Sequence, residues 1–160
     1  MLHSDDRLEI VNRAVVIGAL AVAILNAIPA LLGFWCWYRA RPGRAFWILL
    51  RVGQLSALAF AILVGALAIA GDYSSDRLFY LYALLPLAIA FVAEQIRITS
   101  AQTILDQRDL PDAQAIGDLP EPEQHAIAAA ILLREMIIMA LSALVVVFLA
   151  LRAASTAHGF

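Results

Sequence analysis

Four apolar runs, separated by polar connections, constrain this chain more than any other feature. A hydrocarbon core of about 30 Å takes about 20 consecutive apolar residues as a helix. Runs at about 14–37, 46–70, 78–97 and 130–151 answer to that length. The third stays apolar from Leu78 to Ala93, and the fourth from Ala126 to Leu151 except at Arg134 and Glu135. The expectation is an all-α, polytopic membrane protein: one transmembrane domain over residues 1–160, its four transmembrane helices forming an up-down bundle.

Composition narrows the classes further. The 160 residues are 63% hydrophobic and 15% charged, against about 45–50% and about 25% in an average soluble domain. A water-soluble domain of this size buries only about 70% of its unfolded surface, so it could not hide such an excess. An ordinary cytoplasmic enzyme and a disordered chain are both excluded. Cys36 is the single cysteine, which excludes a disulfide-stapled module. A net charge of −2 offers no basic field to a nucleic acid, so none is expected as a partner. All eleven basic residues are arginine. A GC-rich genome accounts for that without function, but it removes Schiff-base and deprotonated-lysine chemistry.

The connections differ in kind. Residues 39–44 (RARPGR) form a short basic turn broken by Pro42 and Gly43, and residues 71–77 (GDYSSDR) a short polar one. Residues of about 99–124 form a long acidic connection carrying Pro111, Pro120 and Pro122. The first apolar run is too long for a cleaved signal peptide and follows Asp5, Asp6 and Glu9. Arg39, Arg41, Arg44, Arg51, Arg97, Arg108 and Arg134 fall on one side of such a bundle, and Arg7, Arg13, Arg77 and Arg152 on the other. The excess of arginine places loops 39–44 and 99–124 in the cytoplasm and both termini outside, in a cell (plasma) membrane. Trp35, Trp37, Tyr38, Phe46 and Trp47 mark one headgroup interface, and Tyr73, Phe79, Tyr80 and Tyr82 the other.

Spans three and four extend into a cytoplasmic hairpin. Ile96, Ile98, Ala101, Ile104 and Leu105 continue an amphipathic pattern beyond Glu94. Pro120 and Pro122 with Glu121 and Glu123 mark a helix start, since proline and acids both suit a first turn. Residues 111–117 suggest one helical turn closed by Gly117. Between Asp106 and Glu123 six acids face the single Arg108. They read as a solvated cap or as a docking surface for a basic partner.

Helix rise places several charges at one depth. Leu78 to Glu94 is about 24 Å, and Glu135 to Arg152 about 26 Å. Helices joined by the long loop then bring Glu94 beside Arg134 and Arg97 beside Glu135. Arg51 and Gln54 add span two to a polar layer of Arg51, Gln54, Glu94, Gln95, Arg97, Arg134 and Glu135. Such groups usually face the bundle interior and pair with one another. Either they set the register of the hairpin, or they line a path for protons, ions or a small solute.

Gly53, Ala57, Ala61 and Gly65 form a small-residue stripe on span two, suited to close helix packing or to homo-oligomerisation. Pro29 and Pro86 free the carbonyls of Leu25 and Tyr82, and Asn26 stands ready to hydrogen-bond a neighbouring helix. No catalytic constellation emerges. His3, His125 and His158 lie near termini or loops, so no haem or metal pair forms, and Ser56 and Ser142 lack a base. No cofactor is expected. The reading is a non-enzymatic membrane subunit or scaffold, with an oligomeric channel or transporter using the polar layer as the alternative. The expected partners are the lipid bilayer and either further copies of the chain or a larger membrane complex.

Overall fold

The computed structural model describes residues 2–71, 74, 76–107 and 114–157, with the side chains of 2–7, 101 and 118 excepted. Tyr73, Arg108, Pro111 and His158, which the sequence reading used, lie outside the described residues. Four long α-helices and one short 3₁₀ turn account for the fold, and no strand occurs among the described residues. They are α1 (Leu2–Tyr38), α2 (Arg44–Ala70), α3 (Arg77–Asp106) and α4 (Glu121–Thr156), with the 3₁₀ turn at Gln114–Asp118. Each α-helix contains a segment long and apolar enough to cross a membrane.

The helix ends follow from local chemistry. Between α1 and α2 the chain turns at Ala40, which takes a left-handed conformation (φ 49°), and Arg41 N–H bonds back to Cys36 O. Helix α2 ends at Gly71 (φ 92°), whose N–H reaches Ala68 O, a closure that favours glycine. Asp76 caps α3 by accepting from Leu78 N–H at 2.9 Å. Helix α4 starts at the expected place, with Glu121, Pro122 and Glu123 in its first turn. The 3₁₀ turn covers the second half of the segment expected to form one helical turn before Gly117.

Packing follows a ring of neighbours, α1–α2–α3–α4, closed by α4 against α1. The α1–α4 and α3–α4 faces are the most extensive, and of the four ring contacts that between α2 and α3 is the smallest. Two buried clusters fill the interior. One joins Val15, Val22, Ala57, Phe60, Phe79, Val146 and Ala153. The other joins Ala30, Phe46, Leu50, Ala93, Met136, Met139 and Ala140. Phe46 and Phe79, expected at the headgroup interfaces, are instead fully buried core residues. Their rings turn inward to fill the space between helices, while Trp35, Trp37 and Tyr38 stay exposed. On the α3 extension Ile104 and Leu105 are buried, whereas Ile96 and Ile98 face outward.

Small residues set the closest approaches. A Cβ on Gly33 would stand 2.6 Å from Ala140 Cβ and 2.7 Å from Phe46 Cε2, so α1, α2 and α4 meet where this side chain is missing. A Cβ on Gly53 would stand 2.8 Å from Asn26 Oδ1 and 3.1 Å from Leu25 O, the carbonyl that Pro29 frees. Asn26 is buried and donates from Nδ2 to Val22 O (2.9 Å) and across to Gly53 O (3.1 Å). Gly53 O also accepts from Ser56 Oγ at 2.7 Å. The small-residue stripe packs at Gly53, Ala57 and Ala61 but not at Gly65, around which a Cβ would meet nothing within 4 Å. Four residues turn a helix by about 400°, so a strict four-residue stripe drifts by about 120° between Gly53 and Gly65 and leaves a straight seam.

Two glycine substitutions separate these roles. Gly33→Ala overpacks a three-helix contact and lowers stability by about 1–3 kcal/mol. Gly65→Ala meets no neighbour and gains about 0.5–1 kcal/mol of helix propensity. Unfolding of the detergent-solubilised protein measures both, and equal shifts for the two would contradict the packing.

Candidate functional site: a charged layer across three helices

The polar residues that share a level assemble around Glu94 on α3. Its Oε1 accepts from Arg51 Nη1 at 2.6 Å and its Oε2 from Arg97 Nε at 2.7 Å. Arg97 lies one turn further along α3 and also reaches Glu135 Oε2 on α4 at 3.4 Å. Its guanidinium carbon stands 5.6 Å from the centroid of the Trp47 ring on α2, a cation–π distance. Arg51 Nη1 donates as well to Gln54 Oε1 at 2.6 Å, one turn along α2. The network therefore runs from α2 through α3 to α4.

Local sequence explains the assembly. Glu94 and Arg97 are three apart, so both lie on one face of α3. Buried Ala93 and Leu50 bring α2 and α3 to the same cluster, and Met136 carries Glu135 alongside. Glu94 and Glu135 keep only 23% and 16% of their side-chain surface, whereas Arg51 keeps 53%. The carboxylates sit within the layer, and the Arg51 guanidinium forms its outer edge.

One expected pairing is wrong. Glu94 does not meet Arg134: it is taken by Arg51 and Arg97, and Arg134 forms no ion pair among the described residues. Equal depth does not bring two side chains together unless their azimuths also match. Arg134 and Glu135 are adjacent and point about 100° apart on α4, so only one of them turns toward α3. Gln95 is exposed and outside the network. Arg51, Gln54, Glu94, Arg97 and Glu135 are brought together, and Arg134 is not.

The arrangement can hold helices; a free acid or base is harder to find in it. Each Glu94 oxygen already accepts from a permanently charged guanidinium. Ser142 Oγ and Ser56 Oγ bond to carbonyls of their own helices, at Met139 and Gly53. No group of three or more His, Cys, Asp or Glu side chains that could hold a metal ion occurs among the described residues.

Sequence reasoning missed two features here. The Trp47 face under Arg97 had a signal, since an aromatic three residues beyond the basic turn lies one helical turn from Arg51. The second is an open groove of about 380 Å³ between α2 and α3, headed by Arg51, Gln54 and Glu94 and walled by Leu55, Leu58, Leu87, Ala90 and Phe91. It lies between the two ring neighbours that touch least.

No family model matches the chain, and no curated protein or solved structure matches it either.

Double-mutant cycles test the connectivity. Glu94→Gln removes the carboxylate charge that two guanidiniums share and lowers stability by about 2 kcal/mol. The Glu94–Arg97 cycle yields a coupling of about 1 kcal/mol or more, and the longer Arg97–Glu135 contact about 0.5 kcal/mol. The Glu94–Arg134 cycle is additive. Reversible unfolding in mixed micelles gives all three, and strong Glu94–Arg134 coupling would refute the geometry.

Proposed function

We propose that the chain is a four-span integral membrane protein acting as a non-enzymatic membrane subunit or scaffold, with its charged layer serving as a lock between helices. The observation that carries this reading is the double engagement of Glu94. A carboxylate that shuttles protons or acts on a substrate must exchange partners, and both of its oxygens are clamped by guanidiniums.

The two core clusters support an up-down bundle. Gly33 of α1 lies against Ala140 of α4, while Val15 shares a cluster with Ala153. With that register Tyr38 comes level with about Glu135, and residues 121–134 run about 20 Å beyond the end of α1. Ile104, Leu105 and Ile127 are buried on these extensions, as expected if α3 and α4 continue together as a hairpin outside the bilayer. The layer then falls at the level of Trp35, Tyr38 and Trp47, an interfacial depth where charges are far less costly than at the bilayer centre. The arginine excess on that side supports an orientation in a cell membrane with the hairpin and loop 39–44 on the cytoplasmic side and both termini outside.

A subunit of this kind works in an assembly, with further copies of itself or with other membrane chains. A second reading, an oligomeric channel or transporter, draws on Arg134, which is half-buried beside Glu135 and has no ion-pair partner among the described residues. Native mass measurement of the gently extracted protein, with flux assays in proteoliposomes, separates the two. The subunit reading expects co-purifying chains and no proton or ion flux above protein-free vesicles. A symmetric homo-oligomer whose flux is abolished by Glu94→Gln would establish the alternative.

A further inference from the structure

We propose that the groove between α2 and α3 binds one acidic phospholipid, with its headgroup phosphate on Arg51 and an acyl chain along the apolar walls. This rests on the membrane placement argued above and adds a ligand site to it.

The groove has the chemical polarity of a phospholipid. Its head is made by Arg51, Gln54 and Glu94, and its walls, Leu55, Leu58, Leu87, Ala90 and Phe91, are wholly apolar. From Arg51 to Leu58 on α2 and from Glu94 to Leu87 on α3 the walls descend about 10 Å from the charged layer. Leu55 and Phe91 are strongly exposed there, at 63% and 66%, so the walls are open to an acyl chain from the side.

Charge complementarity selects the headgroup. Arg51 spends Nη1 on Gln54 and Glu94, and its Nη2 and Nε donors have no partner among the described residues. A guanidinium presents its donors as a planar fork that matches phosphate oxygens. Glu94 fixes that guanidinium at the mouth of the groove, while Arg97 offsets the charge of Glu94 from behind. Two turns nearer the basic turn, Arg44 lies on the same side of α2 as Arg51, exposed and without an ion pair among the described residues. Arg41 is likewise exposed and without an ion pair among the described residues. Basic pockets between transmembrane helices on the cytoplasmic side bind acidic headgroups, and each arginine near the surface adds about 1 kcal/mol, a factor of about five.

Native mass spectrometry of the full chain tests this, after reconstitution in nanodiscs holding equal amounts of phosphatidylglycerol and phosphatidylcholine. The unmodified protein should retain a single phosphatidylglycerol, preferred about fivefold or more over phosphatidylcholine. Arg51→Gln should bring that preference down about fivefold. Ala90→Phe fills the groove without touching any charge, and should remove the adduct while the protein stays inserted and folded. Equal retention of both lipids by the unmodified protein, or an adduct that survives Ala90→Phe, would overturn the site. So would a dimer that Ala90→Phe dissociates, since the groove would then hold a second copy of the chain. Protein that dissolves in buffer without detergent would overturn the membrane placement itself, whereas inserted protein lacking a selective adduct would overturn the site alone.

Discussion

A carboxylate at the rim of an apolar bundle must reach water or find positive charge, and Glu94 does the second twice over. Arg51 comes from α2 and Arg97 from its own helix, each at hydrogen-bond distance. At an effective dielectric constant of about 20, a charge pair at 4 Å is worth about 4 kcal/mol before desolvation is subtracted. That attraction acts where it is most needed. Helices α2 and α3 touch least of all ring neighbours, and the groove below Arg51 leaves little packing to hold them. Arg97 then passes the connection to Glu135, so three helices share one electrostatic joint.

The rest of the bundle is held by a different kind of contact. In a bilayer, helices this apolar would have no hydrophobic driving force between them, so close packing and interhelical hydrogen bonds would do that part. Gly33 against Ala140 and Phe46 supplies the first, and Asn26 bonded to Gly53 O the second. Both lie on faces of α1, which explains why α1 is well packed without a share in the charged layer. The groove and the clamp are two consequences of one weak interface: charge joins α2 to α3 at their rim, and the space below it stays open.

The number of long helices and their apolar runs were legible because membrane length is written directly in hydropathy. The start of α4 at Glu121 was legible for a similar reason, since proline and acids together mark a first turn. Azimuth was not. Arg134 and Glu135 lie at nearly the same depth, and only the rotation of α4 decides that Glu135 turns toward α3 while Arg134 does not reach Glu94. The small-residue stripe packs at Gly53, Ala57 and Ala61 and leaves the packed face at Gly65 through the same quantity, accumulated over three steps of about 40°. Phe46 and Phe79 were assigned to interfaces by type, yet their positions on the helix turn them inward. Gly33 carried no signal at all, because a glycine within an apolar run looks alike whether it faces lipid or a neighbouring helix.

The joint at Glu94 is tested most directly by the separation of α2 and α3 when the carboxylate is removed. Spin labels at the outward-facing positions Ile48 and Ile98, in a Cys36→Ser background, report that separation by pulsed electron resonance in nanodiscs. With Glu94 intact the distance distribution should be single and narrow, and with Glu94→Ala it should be broader and longer. Identical distributions for the two proteins would show that α2 and α3 are held by something other than this ion pair.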